Sequence, residues 1–261
     1  METVSAFGRL SDGRTVTQVV LNNGILEARI LDFGARLVFL RLGDGPNVCS
    51  TSEHTPDFED DLKYAGPIIA PVINRVGGAR AAIAGRAFNF EPNQDGKHTL
   101  HCGANPKWHD LWRIDTASTN SAQLTLNLGD GDDGFPGKRA VRAFYALDGN
   151  GLNLTIEAET DAPTFMNPGI HGMWNVYGPS STDAQTLTIP ASTYLPVNAE
   201  TLPTGEVSSV EKTAYDHRHG AVPDPTLDHN FCFAPEFGLR AKLAGASGYR
   251  LEIQSDAPGD R

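Results

Sequence analysis

Short β-forming runs recur along this chain at close intervals with turn residues between them, and no long segment carries a 3.6-residue apolar period. That rhythm is the strongest constraint on what it can fold into. Arg14 to Leu21 and Ile25 to Leu31 flank Asn22-Asn23-Gly24, and Asn and Gly tolerate the positive φ that a tight hairpin turn requires. Gly34-Ala35-Arg36 leads into the apolar run Leu37 to Leu42. Ala122 to Leu128, Ala140 to Leu147 and Leu152 to Thr160 alternate apolar and polar residues, the pattern of strands with one buried and one wet face. Asp130 to Gly134, Asp148 to Gly151 and the loops around Pro190, Pro196 and Pro203 supply the breaks. Only Pro56 to Lys63 reads as weakly helical. The expected class is all-β, with antiparallel sheets in a sandwich or barrel.

The 261 residues are many for one ordinary domain, but large β-sandwiches reach that size as single units, so one domain over 1–261 is expected. The chain is 39% apolar and 20% charged, enough to bury a sizeable core. A net charge of −11 argues against nucleic-acid or anionic-membrane partners, which repel an acidic surface. No apolar run approaches the roughly 20 residues of a spanning helix. Three widely spaced cysteines, Cys49, Cys102 and Cys232, and a start without a basic or apolar leader point to a reducing cytoplasm.

Several residues suited to chemistry fall between the strands: Asn74-Arg75, His98, His101, His171 and Asp228-His229. Together they offer an imidazole acid or base, a cationic fork of donors and a carboxylate, a set fit to grip and protonate a hydroxyl-rich ligand. His98-x-x-His101-Cys102 contains zinc-ligand residue types, but no second Cys/His pair of the usual spacing accompanies it, and no metal site is expected. Nucleotide-binding and serine-hydrolase glycine motifs are absent.

The order of several words resembles the aldose 1-epimerase, or galactose mutarotase, family. Ile73-Asn74-Arg75-Val76-Gly77-Gly78 is similar to its Asn-Arg segment, and His98 to Gly103 to its Leu-His-Gly-Gly. Trp112, Asp130-Gly-Asp-Asp-Gly-Phe-Pro-Gly137, Pro163 through His171 to Asn175, Tyr194-Leu-Pro-Val197, Pro203-Thr-Gly-Glu206 and Leu227-Asp-His-Asn-Phe231 keep the family order. The likeness extends from about Gly34 to Gly259.

The resemblance implies a β-supersandwich and an enzyme that interconverts the α and β anomers of a free hexose such as galactose or glucose. No cofactor is implied, and the partner is a small aldose, acted on by a monomer or homodimer. His171 falls at the family's acid, which protonates the ring oxygen. Asn74, Arg75, His101 and Asp228 fall at substrate-holding positions, and Trp174 serves as an apolar wall under the sugar or as core. The family's catalytic glutamate lies beyond a motif that here reads Ser255 to Gly259, and neither Glu206 nor Glu252 matches it. The expectation is therefore a C-terminally incomplete family domain, and loss of one acid/base partner commonly costs on the order of 10²- to 10⁴-fold. Two lesser alternatives are a sugar-binding relative without the base and a hexose-6-phosphate epimerase, the latter disfavoured by the lack of an arginine cluster.

Overall fold

The computed structural model describes residues 2–176, 185–224, 226–234, 236–245, 248–257 and 259–260. It divides into two compact units: residues 1–45 with 49–174, and residues 46–48 with 175–261.

The first unit opens with an antiparallel meander of β1 (Val4–Arg9), β2 (Thr15–Asn22), β3 (Leu26–Leu31) and β4 (Arg36–Leu42). The β2–β3 hairpin turns where the Asn-Asn-Gly signal stands. Asn22 Oδ1 accepts from the Gly24 N–H at 2.8 Å, Asn23 Oδ1 from the Leu26 N–H at 2.8 Å, and Gly24 has φ +85°. The chain continues in short pieces, β5 (Ile68–Ile69), β6 (Arg75–Val76), β7 (Arg80–Ile83), β8 (Arg86–Asn89) and β9 (Thr99–Leu100). A second four-stranded meander follows: β10 (Arg113–Ala117), β11 (Ser121–Leu128), β12 (Arg139–Asp148) and β13 (Gly151–Thr160). The two-residue β14 (Gly169–Ile170) then pairs with β5.

The two meanders meet through β2 against β11 and β12. Val19, Leu21, Ile30, Leu124, Val141 and Ala143 are fully buried. β12 alternates buried and half-buried residues along its length, as its sequence predicts. β3 is buried along its length except at Arg29. Its polar Glu27 is buried because Arg29 and Arg41 both pair with its carboxylate, at 2.8 and 2.9 Å. The segment read as weakly helical forms one short 3-10 turn, Thr55–Glu59, with Phe58 buried against Phe33, Leu31 and Val38.

The second unit contains β15 (Gln185–Thr188), β16 (Thr193–Leu195), β17 (Ser208–Ser209), β18 (Asn230–Cys232), β19 (Gly238–Gly245), β20 (Arg250–Ser255) and β21 (Gly259–Asp260). They form sheets of order β15-β19-β20 and β17-β16-β18-β21. Ile189, Ala191, Val210 and Phe231 make the core between them, flanked by Tyr194, Tyr215 and Leu227.

Candidate active site

Four of the five expected site residues come together in the first unit, and the short strands bring them there. Asn74 precedes β6, whose Arg75 is registered opposite Leu100 of β9, so His101 follows directly. Asn74 and His101 are cross-tied: the Asn74 N–H donates to His101 Nδ1 at 3.0 Å, and the His101 N–H donates to the Asn74 carbonyl at 3.0 Å. Both residues sit in left-handed backbone, at φ +73° and +52°, where the double tie offsets the steric cost. With Nδ1 accepting, the neutral His101 ring carries its proton on Nε2. Trp108 Nε1 donates to the His101 carbonyl at 2.9 Å.

Arg75 is held by two neighbours, donating from Nε to Gln94 Oε1 at 2.8 Å and from Nη1 to Asn74 Oδ1 at 3.2 Å. These two bonds hold the planar fork in one orientation.

His171 comes from the β14 side of the unit. Its N–H donates to the Pro67 carbonyl, and its carbonyl accepts from the Gly66 N–H, both at 2.8 Å. Its ring stands edge-on to that of His101, with centroids 5.2 Å apart. Tyr64 lies against both, 5.0 Å from the His101 ring and 5.8 Å from that of His171. Tyr64 and Gln94 were not marked by sequence reasoning. Neither stands in a periodic run, and the weakly helical reading of 56–63 stopped one residue before Tyr64.

Gly172 and Trp174 shape the flank of His171. A Cβ on Gly172 would fall 2.5 to 2.7 Å from three atoms of the Trp174 indole, so the ring occupies the space of a side chain there. Trp174 is half-buried, and its backbone bridges to Cys49.

His98, Cys102 and the loop aspartates serve the fold. His98 is buried, its Nδ1 accepting from the Gly78 N–H at 2.9 Å. Burial pushes the Cys102 thiol up to about 12, and Sγ donates to the Val72 carbonyl at 3.1 Å. Backbone groups thus use the sulfur and both Nδ1 atoms of the His-x-x-His-Cys word. Two aspartates of the Phe-Pro-Gly loop hold amides in or next to the loop, Asp130 accepting from Gly137 and Asp132 from Gly129, while Asp133 accepts from the Lys107 N–H. Asp228 belongs to the second unit, exposed just ahead of β18. Next to it the His229 ring lies tilted against Tyr215, centroids 4.2 Å apart, and edge-on to Tyr194 at 5.6 Å.

Solved structures place the fold among the galactose mutarotases. A galactose 1-epimerase from Lactobacillus acidophilus superposes with a TM-score of 0.85 at 24% identity, over 98% of this chain and 80% of the other. An aldose epimerase homologue from C. elegans gives 0.82 at 23% identity, over 90% and 78%. The aldose 1-epimerase family model matches residues 17–259, and the chain belongs to that family, isomerases named for epimerising an aldose at carbon 1. Galactose mutarotase of Homo sapiens is 30% identical across 98% of this chain and 80% of its own length. Aldose 1-epimerase of Escherichia coli K12 is 29% identical across 81% and 63%.

Proposed function

We propose that the protein interconverts the α and β anomers of a free hexose such as galactose or glucose, with His171 as the acid that protonates the ring oxygen. As the ring oxygen gains that proton, the anomeric hydroxyl loses its own to a base, and the bond from C1 to the ring oxygen breaks. Rotation about C1–C2 and reclosure then deliver the other anomer. Neither oxygen is reactive enough near neutral pH without such help. The observation that carries the assignment is the grouping of His171, His101 and an aimed Arg75 in one unit. In this reading His101 Nε2 and the Arg75 fork donate to sugar oxygens and Asn74 orders Arg75; a part for Asp228 as an acceptor of sugar hydroxyls rests on the family resemblance alone.

One family model spanning 17–259 favours a single family domain composed of both compact units. Three cysteines with no disulfide among them suit the cytoplasm, and the protein is proposed to act as a monomer or homodimer on a small sugar.

The test is polarimetry of freshly dissolved α-D-galactose. The protein is expected to accelerate the drift in optical rotation, and His171→Ala to lower that acceleration by on the order of 10²- to 10⁴-fold. Acceleration that survives in the variant would remove His171 from the role. Calorimetric binding of galactose with no acceleration by the parent protein would replace the enzyme with a sugar-binding relative.

A further inference from the structure

Arg36 is a buried cation that the proposed chemistry leaves unused. Its side chain is fully buried at the start of β4, and no carboxylate among the described residues pairs with it. Burial lowers its hold on a proton, yet a guanidinium stays charged in proteins, so the charge must be met by other means. Three backbone carbonyls meet it: Leu62 at 3.0 Å and Ala65 at 2.5 Å from Nη1, and Lys63 at 2.9 Å from Nη2. The Phe58 ring covers the cation at 4.6 Å. A Leu or Met would fill the space at less desolvation cost, so what Arg36 supplies is the fork itself.

Inside the clamped turn stands Tyr64, whose ring touches the imidazoles of both His101 and His171. Lys63 Nζ anchors the same turn to the Ala104 carbonyl at 2.7 Å. Gly66, the next residue after the clamp, is pressed so closely on the Leu37 carbonyl that a Cβ would lie 2.3 Å from that oxygen. It is also the residue whose N–H holds the His171 carbonyl.

We propose that Arg36 is a positioning residue for the acid, acting through Tyr64: by gripping the 62–65 turn it keeps the Tyr64 ring braced against His101 and His171. The proposal rests on the assignment of His171 above, and its test separates the two.

Arg36→Met keeps the volume and removes the fork. Its kcat for mutarotation is expected to fall about tenfold with KM nearly unchanged, since misplacing a catalytic group by a fraction of an ångström acts on the chemical step. Tyr64→Leu is expected to lose a similar factor, Tyr64→Phe to recover most of it, and the double variant Arg36→Met/Tyr64→Leu to be no slower than either single one. Independently of turnover, the Hε1 NMR signals of His101 and His171 are expected to shift in Arg36→Met while that of His98, tied to Gly78, stays. Losses that multiply in the double variant, or His101 and His171 signals that do not move, would overturn the proposal. A parent protein without mutarotase activity would sink the assignment of His171, and the NMR comparison would still decide whether Arg36 positions the pair. If Arg36→Met does not fold, Arg36→Lys, which keeps the charge but not the fork, is read by the same criteria.

Discussion

At Gly172 a single methyl group would act directly on the flank of His171. Its Cβ position is already occupied by the Trp174 indole, so Gly172→Ala must displace that ring beside His171. Overpacking of this kind costs about 1–3 kcal/mol. The variant is expected to lose mutarotase rate and to shift its tryptophan emission. Trp108 and Trp112 are deeply buried, which makes Trp174 the residue that reports the change. His171, His101, Arg75 and Asn74 stood out in the sequence through the words around them that resemble the family's; taken singly, a histidine or arginine between strands is as readily structural, as His98 is. Tyr64, Gln94 and Arg36 did not stand out. A tyrosine or glutamine in a loop carries no signal until the fold shows what it faces, and Arg36, a charged residue just ahead of an apolar run, gives no hint of burial.

Elements with a strong alternating pattern were read to within a residue or two. β12 and β13 are examples, because strict alternation suits a half-buried strand and nothing else. The β7–β8 hairpin escaped notice, since Arg80 to Asn89 is rich in alanine and has no β-branched run. What makes it a hairpin is the pair Ala84 and Gly85, both at positive φ, as a two-residue turn demands. The two-residue strands β5, β6, β9 and β14 are too short for any period to show, yet they bring Asn74, Arg75, His101 and His171 into one unit. Between the meanders, Tyr145 of β12 is almost completely buried and donates its hydroxyl to the Ala35 carbonyl at 2.8 Å, just before β4. Tyr145→Phe keeps the ring and orphans that carbonyl. It is expected to cost about 1–2 kcal/mol, read as a lower urea midpoint with an unchanged slope.

For the molecule as a whole, acid stability follows from groups whose proton affinity differs between folded and unfolded chain. Burial lowers His109 from 6.5 to about 4, its Nε2 donating to the Phe58 carbonyl at 2.9 Å. Above pH 6.5 the ring is neutral in both states and its contribution is complete. Between 6.5 and 4 only the unfolded chain takes up the proton, so stability falls by up to about 1.4 kcal/mol per pH unit. Asp133, pushed up to about 6 by burial, has the opposite slope. The comparison of urea midpoints for the parent and His109→Gln at pH 7.5, 6 and 5 isolates the histidine, and the variant is expected to be the less acid-sensitive of the two.

The assignment of residues 46–48 to the second unit bears on how the chain is made. Asn175 donates its N–H to the Val48 carbonyl at 2.9 Å, so the later unit depends on a strip from the earlier part of the chain. At ~5–20 residues per second, the ribosome needs roughly 6–25 s to get from Val48 to Asn175. The first unit's meanders have that interval in which to pack, whereas Pro46 to Val48 must wait for their partner. A gene split between residues 174 and 175 would therefore yield a C-terminal fragment lacking part of its own unit, and one that begins translation without it.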